Sequence, residues 1–181
     1  MKVILVIFLF LLQLLVPRTT ALTDSIKNGI EKKFLYHKVR KGESLSSIAR
    51  LYGTTERDIS QFNKTSSLIF PGQKLFVNSQ YRETVVSWYG EYFNGKETAS
   101  GEIFHTSKIL VAHKKLPLGS VVEFFNPDNR VKLAIKILDR GPFIAGREFD
   151  LSERAAQILG VKEEGVAKII VRVIYAPSQD L

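Results

Sequence analysis

The sequence predicts a mixed architecture, a small α+β module of βααβ order followed by a mainly-β closed barrel. Three features carry this expectation. Two short helical periods lie between two strand-like segments within little more than forty residues; several short strands separated by Gly, Pro and Asn turns come next; one capped helix then precedes a long final strand. The 181 residues suit a small module plus one core domain. At 45% hydrophobic and 24% charged residues, the composition excludes wholesale disorder.

Residues 3–16 are almost all aliphatic or Phe, with Lys2 before them and Thr19, Thr20 and Ala21 after. The run is shorter than the roughly 20 residues needed to span a bilayer. Small residues at Thr19 and Ala21 suit a signal peptidase, so residues 1–21 read as a cleavable signal peptide. A retained anchor is the alternative; cleavage leaves no stable membrane anchor, and the protein is exported to the periplasm, the cell wall or the outside. The absence of cysteine excludes disulfides, thiolate zinc sites, a Cys nucleophile and a lipid on an N-terminal Cys. With so few His as well, no metal site or cofactor is expected, and the chain is expected to be a monomer held by core packing.

The formal charge is +8, and removing Lys2 and Arg18 leaves about +6, which favours anionic partners. The excess is concentrated early: residues 36–77 hold seven Lys/Arg against three acids, and residues 84–175 hold thirteen against eleven. Export makes an anionic wall polymer the expected partner and nucleic acid an unexpected one.

Residues 22–35 form a polar tether or short helix. The alternation at Tyr36, His37, Lys38 and Val39 predicts a strand, and Lys41-Gly42-Glu43 a turn. Ser44 is a suitable N-cap for a helix with Leu45, Ile48, Ala49 and Tyr52 on one face and Gly53 as its stop. Thr55 caps a second helix with Ile59 and Phe62 inward; a loop over 63–71 and a strand over 74–77 complete the module, and residues 78–83 are a short connector. From residue 84 the expected strands are 84–88, 108–112, 120–126, 131–138 and 166–175. The helix over 153–159 has Ser152 as cap and Gly160 as stop, with residues 150–152 as its lead-in. Residues 176–181 are a tail.

The spacing of Tyr36, Val39, the Gly42-Glu43-Ser44-Leu45 run, Ile48-Ala49, Asn63 and Pro71-Gly72-Gln73 before Leu75 and Val77 resembles the LysM family over 36–77. That resemblance implies a βααβ fold that binds N-acetylglucosamine polymers such as peptidoglycan and chitin. The groove would be lined by Gly42, Glu43, Ser44 and Leu45 on one side and Leu68, Ile69, Phe70 and Pro71 on the other. Loop N–H and C=O groups can bond the acetamido group while apolar side chains cover the sugar faces. Leu45 and Ile69 serve equally well as core residues.

Ser87-Trp88-Tyr89-Gly90, Thr98 through Glu102 with Phe104, Ala112-His113-Lys114 with Leu116-Pro117 and Gly119, and Asp139-Arg140-Gly141-Pro142-Phe143 followed by Asp150-Leu151-Ser152 resemble the rare lipoprotein A family over 84–175. The resemblance implies a six-stranded double-psi β-barrel and a lytic transglycosylase. Such an enzyme cleaves peptidoglycan between N-acetylmuramic acid and N-acetylglucosamine and leaves a 1,6-anhydro end. The family's catalytic acid falls on Asp139, with His113 and Glu102 in supporting positions.

One acid suffices in principle, because the muramic acid's own 6-hydroxyl is the nucleophile and a single group can give and then take a proton. Ordinary glycosidases need two carboxyls. Asp139 then needs a raised proton affinity, from burial beside Leu138 and Phe143 or from the like charge of Glu102, with Arg140 turned away or contacting substrate. His113 can orient Asp139 or the sugar. Trp88, Tyr89, Tyr92 and Phe93 divide between core and a sugar-stacking platform, and Lys114 and Lys115 can attract the muramic carboxylate. Leu138 stands where the family commonly has Asn and His105 where it has Asp or Asn. Leu138 keeps open a non-catalytic, expansin-like wall-binding protein as the alternative, and a purely glycan-binding structural protein is a third possibility.

Overall fold

The computed structural model describes residues 33–177. The expected signal peptide, nearly all of the expected tether and residues 178–181 lie outside the described residues. Strand β1 (Lys33–Lys38) pairs antiparallel with β2 (Lys74–Ser79), and between them run helices α1 (Leu45–Tyr52) and α2 (Glu56–Asn63). Ser44 caps α1 through a reciprocal bond pair with Ser47, and Gly53 ends it in the left-handed conformation that a residue without Cβ adopts at no steric cost. The expected face is buried: Leu45, Ile48, Ala49 and Tyr52. Leu45, at 2% exposure, belongs to the core by its side chain, so only its backbone can face a sugar.

One further expectation in the module is corrected: Phe62, expected inward, is 44% exposed, and Ile59 is the buried residue of α2. His37, near the end of β1, is buried; its Nδ1 lies 3.1 Å from the Tyr52 hydroxyl and its Nε2 2.8 Å from Glu43 Oε2. The imidazole thus joins β1, α1 and the turn before α1. The expected connector is shorter than it looks in sequence, because Asn78 and Ser79 end β2 and Arg82 and Glu83 begin the next strand.

Six strands close the barrel in the order β3 (Arg82–Tyr89), β7 (Phe149–Ser152), β4 (Val111–His113), β6 (Lys132–Asp139), β5 (Val121–Phe125), β8 (Val166–Tyr175). Pairs β3–β7 and β4–β6 are parallel and the others antiparallel, which is the six-stranded double-psi arrangement. Closure leaves no unpaired sheet edge. Alternation supplies the interior: Val122 and Phe124, Ile135 and Ile137, and Ala167, Ile169, Val171 and Val173 are buried every second residue. Helix α3 (Glu153–Leu159), capped by Ser152 and stopped by Gly160, packs Ala155, Ala156 and Leu159 into the same apolar cluster, which continues into the βααβ module.

Strand β7 is the element that the sequence did not predict. Its four residues, Phe-Asp-Leu-Ser, look like a helix lead-in, and their extended form is set by pairing with β3 on one side and β4 on the other.

The burial contrast between the two module loops is testable. Replacing Leu45 with Ala is expected to cost about 2–5 kcal/mol, whereas Phe70→Ala, at a side chain 59% exposed, costs about 0.5 kcal/mol or less. Urea unfolding of the two variants measures both.

Candidate functional site

Barrel registers place four residues side by side. Ser87 on β3 pairs with Asp150 on β7, Asp150 pairs with Ala112 on β4, and Ala112 pairs with Asp139 on β6. Neighbours across a ladder share a face, so the two carboxyl groups flank a single small residue, their strands about 10 Å apart at a strand spacing of about 4.8 Å. Asp139 reaches this row through an irregularity. Val111 pairs with Ile137 but Ala112 with Asp139, and Leu138 is the extra residue that turns the strand end. Leu138 packs against the satellite core of Tyr89, Phe104, Leu110 and Ala112.

Asp139 Oδ1 accepts the backbone N–H of Ala99 at 2.9 Å and that of Arg140 at 2.8 Å. Its second oxygen has no bond to any described residue. Arg140 does not clamp the acid: its guanidinium donates to the carbonyls of His113 and Leu116, at 3.0 and 2.8 Å. Asp150 accepts from the Ser87 hydroxyl at 2.7 Å. Burial raises the proton affinity of Asp150, the Ser87 bond and the charge of Arg147 oppose this, the charge of Asp139 adds to it, and the net shift is upward.

Both acids line one cavity of about 660 Å³, together with Trp88, Tyr89, Tyr92, Phe93, Arg140 and the 141–144 turn. Tyr92 and Phe93 on one side and Phe143 and Ile144 on the other are exposed apolar side chains, the surface that sugar faces pack on. Phe143 is 82% exposed, so it does not bury Asp139 as expected. Trp88 is half-buried and donates its indole N–H to the Lys162 carbonyl at 3.0 Å. Tyr89 is buried, with a hydroxyl that has no partner among the described residues. Burial, then the charges of Asp139 and Asp150, hold that phenol protonated as a donor.

The other two expected site residues lie elsewhere. Glu102 is exposed and sits 3.7 Å from the Lys108 ammonium, outside the lining of the Asp139 cavity. The like charge nearest Asp139 along the row is therefore Asp150. Its signal in the sequence is the Asp-Leu-Ser that follows the Asp139 turn, which local rules read as a helix lead-in because the strand it forms depends on lateral pairing. His113 does not bond Asp139. Its Nδ1 accepts two backbone N–H groups, from Lys115 at 3.0 Å and Leu116 at 2.8 Å, so the ring proton is on Nε2, 3.3 Å from Glu148 Oε1. Burial lowers the proton affinity of His113, and the ring is neutral.

In the module, Glu43 is committed to His37 and to the Arg40 N–H, the latter at 2.8 Å. Leu68, Phe70, Pro71 and Gly42 are exposed, Ile69 is half-buried against the core, and the backbone N–H and carbonyl of Ser44 are committed to the α1 cap. The two loops are tied by bonds from Val39 N–H to the Gln73 carbonyl and from Gly72 N–H to the Val39 carbonyl, at 2.8 and 2.7 Å.

Glu148 also accepts from Arg82, at 2.6 Å, and from Thr84. Burial pushes its carboxyl up, but the bonds from His113, Arg82 and Thr84 outweigh burial and hold it at about 2 against an ordinary 4.5. A depressed carboxyl stabilises the fold above its unfolded value and stops doing so as pH falls through its folded value. Wild-type urea stability should therefore decline between about pH 4.5 and pH 2, and Glu148→Gln should remove that part of the decline.

Residues 83–171 match the family model described as lytic transglycolase, and residues 37–78 match that of the LysM domain. The probable endolytic peptidoglycan transglycosylase RlpA of Treponema pallidum (strain Nichols) is 47% identical over 104 residues, covering 58% of this chain and 31% of that protein. The endolytic peptidoglycan transglycosylase RlpA of Pasteurella multocida (strain Pm70) is 42% identical over 98 residues, 54% of this chain and 33% of its own. The probable enzyme of the same name from Aquifex aeolicus (strain VF5) is 40% identical over 95 residues, 52% and 42%. The chain thus spans between about a third and two fifths of the length of these curated relatives. Registers and family matches agree: residues 83–171 form a closed six-stranded barrel that matches the lytic transglycolase model, preceded at residues 37–78 by a module that matches the LysM domain.

Proposed function

We propose that the protein is an exported lytic transglycosylase of the cell envelope, whose LysM domain holds peptidoglycan glycan while the barrel cuts it between N-acetylmuramic acid and N-acetylglucosamine. The observation that carries this proposal is the shared cavity of Asp139 and Asp150, walled by exposed aromatic and aliphatic side chains.

In the reaction the muramic 6-hydroxyl attacks its own anomeric carbon, the bond from that carbon to the departing sugar oxygen breaks, and no water is consumed. A proton passes to the departing oxygen and another leaves the 6-hydroxyl, so the acid is restored. Asp139, with one oxygen fixed by two N–H donors and the other unbonded, is the group that exchanges these protons. Asp150 lies on the same face, where burial, with the charge of Asp139 adding to it, raises its proton affinity. Fixed geometry supplies the rest, since the nucleophile is tethered to its own target.

His113 and Glu102 act at a distance in this proposal. His113 holds the β4 end whose carbonyl grips Arg140, and Glu102 closes the loop whose Ala99 N–H holds Asp139. The expansin-like alternative makes the same cleft a binding surface alone.

Digestion of peptide-stripped sacculi followed by mass spectrometry tests the proposal. Wild type should release anhydro-muropeptides, and Asp139→Asn should lower the rate by about 10²–10⁴-fold. Binding without product in both proteins would establish the alternative. Asp150→Asn should lower kcat/KM by less than Asp139→Asn does; an unchanged kcat/KM would separate Asp150 from the chemistry.

A further inference from the structure

A second cavity, of about 650 Å³, lies between the LysM domain and the barrel. Helix α1 contributes Ser47, Arg50 and Leu51, and the barrel contributes Arg82, Thr84, Val85, His113 to Lys115 and Gly146 to Glu148. The two walls are fixed to each other. Arg40 of the LysM domain donates to the Lys115 carbonyl at 2.7 Å, and the Gln80 N–H donates to the Tyr52 carbonyl at 2.9 Å. Gly53 lets the chains approach there, since a Cβ would stand 2.9 Å from the Gln80 carbonyl oxygen.

The lining is one-signed. Five of its side chains are cationic, Arg50, Arg82, Lys114, Lys115 and Arg147, and Glu148 is its one carboxylate. Arg82 neutralises Glu148, and His113 beside them is neutral. Arg50, Lys114, Lys115 and Arg147 form no ion pair with any described acid; Lys114 reaches only the Arg147 carbonyl, at 3.5 Å. Like charges converging from two domains repel unless an anion joins them, and a recess concentrates their field. Arg147 also lines the Asp139 cavity, so the two hollows meet at that residue.

We infer that this interdomain groove is a binding site for carboxylates of the glycan strand, occupied while the adjoining stretch of the same strand lies over Asp139. The inference rests on the proposed function and deepens it. LysM recognition by loop backbone reads the acetamido sugars, which chitin shares, whereas a cationic groove reads the carboxylate that chitin lacks. The carboxylate has two sources, the lactyl group of a peptide-free muramic acid and the acids of an attached stem peptide.

The test compares wild type with Arg50→Ala/Lys115→Ala, a pair of exposed side chains outside the catalytic cavity. Binding is measured by co-sedimentation with peptide-bearing sacculi, with peptide-stripped sacculi and with chitin, at low and high salt. Wild type should prefer sacculi to chitin, and the variant should lose up to about tenfold on sacculi at low salt and nothing on chitin, as expected for two solvent-facing charge contacts. High salt should erase the difference. Loss confined to peptide-bearing sacculi assigns the groove to the stem peptide, loss confined to peptide-stripped sacculi assigns it to the lactyl carboxylate, and loss on both shows that it takes either. Equal binding by both proteins, equal loss on chitin, or the same loss on duplex DNA overturns the inference. Wild type that prefers sacculi but releases no anhydro product leaves the groove standing and removes the enzyme; wild type that binds neither polymer removes both.

Discussion

The row Ser87, Asp150, Ala112, Asp139 exists because β7 is gripped on both sides, parallel to β3 and antiparallel to β4. A four-residue strand has little extended preference of its own, so the barrel's closure holds Asp150 where it is. The bulge at Leu138 does the same for Asp139, since without the extra residue the strand's alternation would put Leu138 opposite Ala112. Ala112 matters by being small, leaving open the space between two acids that any branched side chain would fill. The chemistry proposed for the chain depends on that one lateral alignment.

Much of this was legible from pattern. The N-caps of the three α-helices among the described residues, the apolar face of α1 and the long alternating strand β8 follow from local rules, and the structure repeats them at Ser44, Thr55 and Ser152, with the stops at Gly53 and Gly160. Asp139 stood out because it precedes a turn whose residues are distinctive in order. What pattern could not supply is lateral. Neither the partner acid nor the placement of His113 follows from spacing along the chain, because both depend on which strands lie side by side. Asp150 looked like a residue before a cap and His113 like a neighbour of Asp139. Their contacts reach across 63 and 35 positions of sequence.

His113 and His37 play parallel parts. Each is a buried neutral imidazole that receives or gives bonds on both nitrogens and secures a turn: His37 the one before α1, His113 the one after β4. The turn after β4 carries Lys114 and Lys115 to the interdomain groove, and its carbonyls hold Arg140 away from Asp139. One buried histidine therefore links the cationic groove to the acid's freedom from an ion pair. Only Gln80 and Tyr81 lie between the last strand of the βααβ module and the first strand of the barrel.

Site-resolved carboxyl NMR of Asp150 through a pH titration tests most directly whether the lateral row couples the two acids. Asp150 should titrate above the ordinary range for an aspartate, and its midpoint should fall when Asp139 is replaced by Asn, because a like charge has been removed. A midpoint for Asp150 that is unchanged by the substitution would contradict the account.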